Sequence, residues 1–417
     1  MSRLAWPLTL LLALAAGGAF AQTPPSDAAP AFTLRTSLKS SVLWSLAPDD
    51  PALYPDQETT TGFWRLRLEP NVRLQDGTSI EGAFEQRWRA FSSVRGALGG
   101  GVLPTEAPAP YRIRQLDWQI ASSNNAQWYA EIDRAAVHTQ AGAATVTIGR
   151  QAIGWGRGVL FGAVDLFSPF TPLEADREWR RGVDAVRADV KLSDRNSVDA
   201  VAAFGSNIDE SAFAGRLRGY AGKADLELVG GWRARDVFGG ATASAAVRDA
   251  EIHGELAVFR TPAVAGSSAF ANERSIAKAV AGASYRFPFG NGLLVFAEYH
   301  YSGFGAASPQ EIFPLLTDPE FQVRYLRGDT QILTRHAIAL LATYEYSPEL
   351  TFGGQWIQNP ADGSGILVPS LTWTFNDRWS ALVSGYLPFG SEPVGLTLNS
   401  LYGASPLGAF AQVRAYW

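Results

Sequence analysis

The last eleven residues, Leu407 to Trp417, alternate without a break. Leu407, Ala409, Ala411, Val413, Ala415 and Trp417 share one face, and Gly408, Phe410, Gln412, Arg414 and Tyr416 share the other. A two-residue period is that of a β-strand. Its length matches the ~9–11 residues with which a tilted strand crosses a bilayer. One apolar face and one face carrying Gln412 and Arg414 describe a strand between lipid and a water-facing lumen.

A strand of this kind ending on an aromatic residue resembles the assembly signal of bacterial outer-membrane β-barrels. The resemblance implies the outer membrane of a Gram-negative cell, with its lipid and lipopolysaccharide as surroundings and the barrel assembly machinery as a partner during biogenesis. The other end agrees. Met1 to Ala21 reads as a secretory signal, with Arg3 as its charge, an apolar stretch from Leu8 to Ala16, and Ala19-Phe20-Ala21 before the cut. Residues 22–31 form a short linker, and 32–417 read as a single barrel domain.

Composition narrows the class. No later segment offers the ~20 apolar residues of a spanning helix. Yet the chain carries 13 Trp, 13 Tyr, 23 Phe and 41 Gly. Aromatics at both membrane interfaces and glycines at turns account for that usage. The formal net charge of −5 gives no bulk attraction to nucleic acid. Zero cysteines excludes disulfides and thiolate metal sites.

The fold class predicted is all-β: a transmembrane antiparallel up-and-down barrel of about eighteen strands, sixteen as the fallback, with long extracellular loops. Phe32 to Lys39, Trp64 to Glu69 and Ile80 to Arg89 alternate greasy with charged. Further strands fall at 126–139, 143–152, 182–192, 196–205, 211–222, 224–235, 239–248, 250–260, 275–287, 292–302, 334–346, 349–358, 365–376, 378–388 and 407–417. Short connections at Asp76-Gly77, Gln140-Ala141-Gly142, Ser193-Asp194-Arg195, Ala221-Gly222-Lys223, Arg248-Asp249, Phe289-Gly290-Asn291, Ser347-Pro348 and Asn376-Asp377 alternate with long ones. That alternation places both termini in the periplasm. It also requires Tyr111 to Ile120, strand-like itself, to belong to an extracellular excursion over 92–125.

Reading the polar face along each strand gives the pore lining: Arg65, Arg67, Glu85, Arg87, Arg89, Arg187, Asp189, Arg216 and Arg218. Arg35, Lys39, Lys191 and Arg233, with Glu69, Glu81, Asp225, Glu227, Glu251, Glu255 and Glu298, complete a mixed-charge lumen. Arg65, Arg67, Arg87 and Arg89 cluster on neighbouring strands, with Glu69, Glu81 and Glu85 as candidate partners.

The most distinctive stretch runs from Gly149-Arg150-Gln151 through Gly154-Trp155-Gly156-Arg157-Gly158 to Gly182-Val183-Asp184-Ala185-Val186-Arg187. Pro169 and Pro172 forbid a continuous ladder between its ends, and its Trp, Phe and Leu content argues for an ordered loop. The loop 153–181 is read as a constriction or lid. The candidate residues in it and at its flanks are Arg150, Arg157, Asp165, Asp176, Arg177, Glu178, Arg180, Arg181 and Asp184, of which Asp165, Asp176, Arg177, Glu178, Arg180 and Arg181 are expected to form one network. These motifs, over residues 145 to 190, resemble the alginate-export group of outer-membrane porins. That resemblance implies an eighteen-stranded barrel and an export or diffusion channel. The chain departs from the group's pattern with Val183 before Asp184 and Arg157 between its glycines, and its lumen is not overwhelmingly basic.

No catalytic residue, cofactor or metal ligand set is assigned. The chain is read as a channel for small polar or polymeric solutes and not as an enzyme. A second reading is a non-conducting barrel serving an envelope export or lipid-handling system with a periplasmic export partner. A third is a lipid hydrolase, because Glu298-Tyr299-His300-Tyr301-Ser302 resembles the His-x-Ser pair of membrane-embedded lipid hydrolases. Tyr299 and Tyr301 occupy the lipid-facing side of that strand, which turns His300 inward. Gly303 to Leu333 forms a second long loop with an apolar Ile312–Leu316 patch.

Overall fold

The computed structural model describes residues 31–417 apart from 75, 76, 94–100 and 106. The signal segment 1–21, nearly all of the linker, and Asp76 of the first turn lie outside the described residues. The chain forms one antiparallel sheet closed on itself. Its strands are β1 (Phe32–Leu46), β2 (Glu58–Arg73), β3 (Ser79–Phe91), β4 (Asp117–Ser122), β5 (Ala126–Ala141), β6 (Ala144–Gln151), β7 (Val183–Lys191), β8 (Ser197–Ala203), β9 (Ala212–Ala221) and β10 (Ala224–Arg233). There follow β11 (Asp236–Val247), β12 (Ala250–Thr261), β13 (Arg274–Phe287), β14 (Leu293–Ser302), β15 (His336–Ser347), β16 (Leu350–Gln358), β17 (Gly365–Asn376), β18 (Trp379–Phe389) and β19 (Leu407–Tyr416).

Closure is made by the terminal strand, whose residues pair β1 from Ser37↔Tyr416 to Leu46↔Leu407. The barrel has eighteen strands because β4 does not span. β3 pairs β5 directly, from Ser79↔His138 to Ala90↔Ala126. The far edge of β5 is then shared, Ala135–Ala141 pairing β6 and Gln127–Glu131 pairing β4. The excursion predicted for 111–120 is therefore a short flap standing above the point where β6 ends.

Alternation sorts the two faces as the sequence requires. Leu226, Leu228, Leu256, Val258, Leu340, Leu367 and Val383 are exposed on the outside, where lipid covers them. Beside the tight turns lies a belt of paired rings, with Trp379 edge-on to Trp417 and Trp373 against Phe375, Tyr346 against Phe352, and Tyr285 against Phe287. Such rings anchor a barrel at the headgroup level. The turns use the residues expected of them, with Gly142, Gly222, Gly290 and Arg248 at positive φ. β1 and β2 run beyond the segments read from alternation: in β1 the period continues through Val42, Trp44 and Leu46, whereas the upper end of β2, Thr59 to Thr61, carries no apolar period.

Gly149 shows how tightly the wall is built near the loop. Its φ is 118°, and a Cβ there would stand 2.2 Å from the carbonyl oxygen of Ala135 on β5. Gly149→Val is expected to lower folded yield by an amount equivalent to about 3 kcal/mol. The unheated fast-migrating band on a gel measures it.

Candidate functional site

The lumen is not open across its width. After Gln151 the chain turns inward, and residues 153–167 bury Ile153, Trp155, Phe161, Val164 and Phe167 among wall and loop residues that include Val201, Phe259, Ile276 and Phe304. Trp155 meets Phe167 edge-on, with ring centroids 5.2 Å apart. The wall holds this segment through its backbone. Glu255 on β12 accepts hydrogen bonds from the amides of Arg157, Gly158 (2.8 Å), Ala163 (2.6 Å) and Val164 (3.2 Å). Glu298 on β14 accepts those of Val159 (2.5 Å), Leu160 (2.9 Å) and Phe161 (3.2 Å), and lies 3.0 Å from His253. Two carboxylates thus satisfy seven amides that a loop inside a barrel must otherwise leave to water. The glycines make the wrapping possible. Gly156 has φ 105°, and a Cβ on Gly158 would stand 1.8 Å from the carbonyl oxygen of Phe161.

The charged residues of the loop separate into several contacts instead of the single network expected. Lys39 on β1 donates to Asp176 at 2.7 and 2.8 Å and pairs with Glu178 at 2.6 Å. Lys39 also stands 3.6 Å over the ring of Trp179, with Arg65 and Arg67 at 5.4 and 5.2 Å. Arg180 binds Asp165 at 2.6 Å. Arg181 donates to the Ala107 carbonyl at 2.5 Å and Arg177 to that of Pro172. Arg157 reaches the wall at Asp225 and Glu227. Arg150 and Asp184 form a pair across β6 and β7, at 2.7 and 3.0 Å, and Arg150 also binds the carbonyls of Ile132 and Arg114. This last pair ties the flap to the wall and does not face the passage. Arg180 and Arg177 thus find partners within the loop, whereas Asp176, Glu178 and Arg157 find theirs on β1 and β10, which folding brings within a side chain's reach.

The second long loop closes over the same region. It carries the helices α1 (Ile312–Leu316) and α2 (Pro319–Arg327). Asp318 caps α2 by accepting from the Glu320 and Phe321 amides, and Gly328 ends it at φ 85°. Gln331 accepts from the Gly162 amide at 2.7 Å and donates to the Phe170 carbonyl at 2.9 Å. Arg233 on β10, Asp236 on β11, Arg324, Arg327 and Asp329 form a buried cluster beneath it.

Beside β2 and β3 lies a cavity of about 300 Å³. Arg65, Arg87, Arg89, Arg181 and Arg327 line it together with Trp179, Tyr325, Gln331 and, among the described residues, a single carboxylate, Glu174. The other carboxylates stand behind the arginines. Glu85 binds Arg65 and Arg67, Glu131 binds Arg87 and Arg112, and Asp329 holds Arg327. Arg67, 1% exposed, is enclosed by Glu69, Glu85 and Asp133 and does not line the cavity. Arg187 and Arg216 meet at Asp199, and Arg218 meets Asp225 and Glu227. Asp189 lies one register step from them, opposite Asp199.

Glu131, Asp133, Arg112, Arg134 and Glu174 were not legible as site residues. A register shift sets Ala83 against Arg134 and Phe84 against Ile132, leaving Asp133 as an extra residue. Both Asp133 and Arg134 then face inward, in contact at 2.6 Å, which strict alternation forbids. Arg112 and Glu174 belong to loops, where no period exists to read.

Protonation in the loop follows its surroundings. Burial opposes ionisation of Asp176, but Lys39 and Arg65 more than offset it and hold the carboxyl below the usual range. Burial pushes Glu174 up to about 7, against the pull of Arg65. Burial likewise raises Asp165, against the pull of Arg180.

His300 and Ser302 face inward and are fully buried, with His300 stacked on Phe161 at 4.7 Å. Among the described residues the Ser302 hydroxyl and both His300 nitrogens have no hydrogen-bond partner. A plug ring over the imidazole is the surrounding of a packed lumen residue.

Neither a family model nor a curated protein matches the chain. Solved structures do. The chain is similar to OccAB1 of Acinetobacter baumannii, at 8% identity and TM-score 0.58, with 93% of this chain and 96% of that one covered. It is similar to OccAB4 of the same organism at 10% identity and TM-score 0.55, covering 93% and 98%. OccK5 of Pseudomonas aeruginosa follows at 9% identity and TM-score 0.52, covering 92% and 97%. These are outer-membrane porins. The chain has the outer-membrane porin fold. At such identities the likeness concerns architecture, and the solute has to be argued from the chain's own lumen.

Proposed function

We infer that the protein is a diffusion channel of the outer membrane for small polar solutes, narrowed by 153–181 to an eccentric passage with a preference for anions. The observation that carries this reading is the cavity beside β2 and β3, where, among the described residues, five arginines line the wall with one carboxylate, and Glu85, Glu131 and Asp329 are recessed behind them. A solute anion there meets guanidinium edges aligned on one wall, and fixed charge of one sign raises the local concentration of its counter-ion. The apolar plug on the opposite side keeps the solute against that wall. Export of a polymer, as the alginate-export resemblance implies, and coupling to a periplasmic partner are finer readings that rest on the 145–190 motif alone.

Purified protein in a planar bilayer tests the reading. Unitary currents with chloride preferred over potassium are expected. Arg65→Gln combined with Arg181→Gln is expected to lower that preference by about five-fold, as two unit charges leave a narrow passage. A preference unchanged in the double variant overturns the assignment of the passage. Complete silence of the wild-type protein favours the non-conducting barrel.

A further inference from the structure

The cavity's single carboxylate differs from the other acids of the loop. Asp165 is paired with Arg180 and Asp176 with Lys39, whereas Glu174 forms no ion pair within 4 Å among the described residues, its carboxylate accepting only from the Thr171 backbone. Its backbone is fixed, the amide donating to the Thr171 carbonyl at 3.2 Å. A carboxylate held in a passage of arginines without being committed to one of them contributes its whole charge to the passage. We propose that Glu174 sets the ion specificity of the channel and makes it respond to pH, its carboxylate countering the arginines when ionised and ceasing to do so when protonated.

This rests on the channel reading above. The groups facing Glu174 account for the sign. From β2 comes Arg65, from β3 Arg87 and Arg89, from its own loop Arg177 and Arg181, and from α2 Arg327. Arginine keeps its charge throughout the physiological range. The neighbouring acid, Asp176, is held ionised by Lys39 and Arg65. Tyr386 of β18 donates to the Leu173 carbonyl at 3.4 Å and Tyr325 of α2 lines the cavity, both as phenols. The recessed Glu85 and Glu131 are each bound by arginines. Among the described residues Glu174 is thus the acid of this wall placed to change charge near neutrality, where burial has moved its carboxyl, to about 7. As pH falls through that value the passage loses the negative charge of Glu174, and anion preference rises.

Reversal potentials across a potassium chloride gradient, from pH 5.5 to 8.5, test the proposal. The wild-type chloride-to-potassium permeability ratio is expected to rise about three-fold on acidification, the effect of one unit charge seen from roughly 7 Å in a water-like dielectric. Glu174→Gln is expected to show the acidic ratio at every pH. A flat wild-type profile, or a profile that survives in Glu174→Gln, overturns the role of Glu174 while leaving a conducting channel in place. Infrared difference spectra over the same range give a readout that needs no current. A carboxylic C=O band that appears on acidification and is missing in Glu174→Gln supports the assignment, and its persistence in the variant refutes it. Absence of unitary currents in both proteins strikes the channel reading itself, and with it the specificity role.

Discussion

Excision of residues 153–181 is expected to raise single-channel conductance by about ten-fold, because a barrel of 16–18 strands without an internal plug leaves an aqueous channel. The barrel tolerates the cut for a geometric reason. Gln151 and Val183 are already paired across β6 and β7, so the two strands can be joined by a tight hairpin without moving the wall. The excised segment contributes Trp155, Phe161 and Phe167, which fill lumen space beside β8, β12 and β13 and form no part of the hydrogen-bonded cylinder. The deletion also removes Glu174 and Arg181, so pH dependence and ion preference are expected to fall together with the rise in current. Conductance equal to that of the intact protein refutes the view that 153–181 narrows the passage.

A second large effect is expected at the two wall carboxylates. Replacing both Glu255 and Glu298 by Ala withdraws the acceptors of seven loop amides and also the partner of His253. Hydrogen bonds to charged groups are worth about 1.5–3 kcal/mol each, and water entering the lumen repays most of the gross loss. A net weakening of loop docking on the order of 5 kcal/mol follows. The change is confined to the plug, since β12 and β14 keep their ladders to β11, β13 and β15. Two measurements report it: protease cleavage within 154–165, and current noise with openings between those of the wild-type protein and the deletion. Glu251→Ala, on the same face of β12 and outside the clamp, serves as the control. A double variant as resistant and as quiet as the wild type shows that apolar packing alone holds the loop.

Much of the wall was readable before folding was considered. Each strand buries one face in lipid and wets the other, so Leu, Val and Ile must recur at every second position, and Arg65, Arg87, Arg89, Arg216 and Arg218 had to point inward. Parity did the rest. Tight turns recur on one side, so 111–120 was placed outside the membrane, where β4 is found as a flap. The period breaks at Asp133, where one extra residue reverses the phase of β5.

By itself, then, the chain determined the cylinder: its closure by the aromatic C-terminal strand, its apolar outside, and the charged character of its interior. These follow from a local period that any strand must satisfy, whatever its neighbours. Only the tertiary structure decided which charges neutralise one another and which line the passage. Lys39 reaches Asp176, Glu255 reaches Ala163 and Gln331 reaches Gly162 across 92 to 169 residues of sequence. Those contacts depend on the diameter of a closed barrel and the path of a loop inside it, and no period along the chain encodes either. The terminal strand says that there is a lumen, and the folded loop sets Glu174 among the arginines of its cavity.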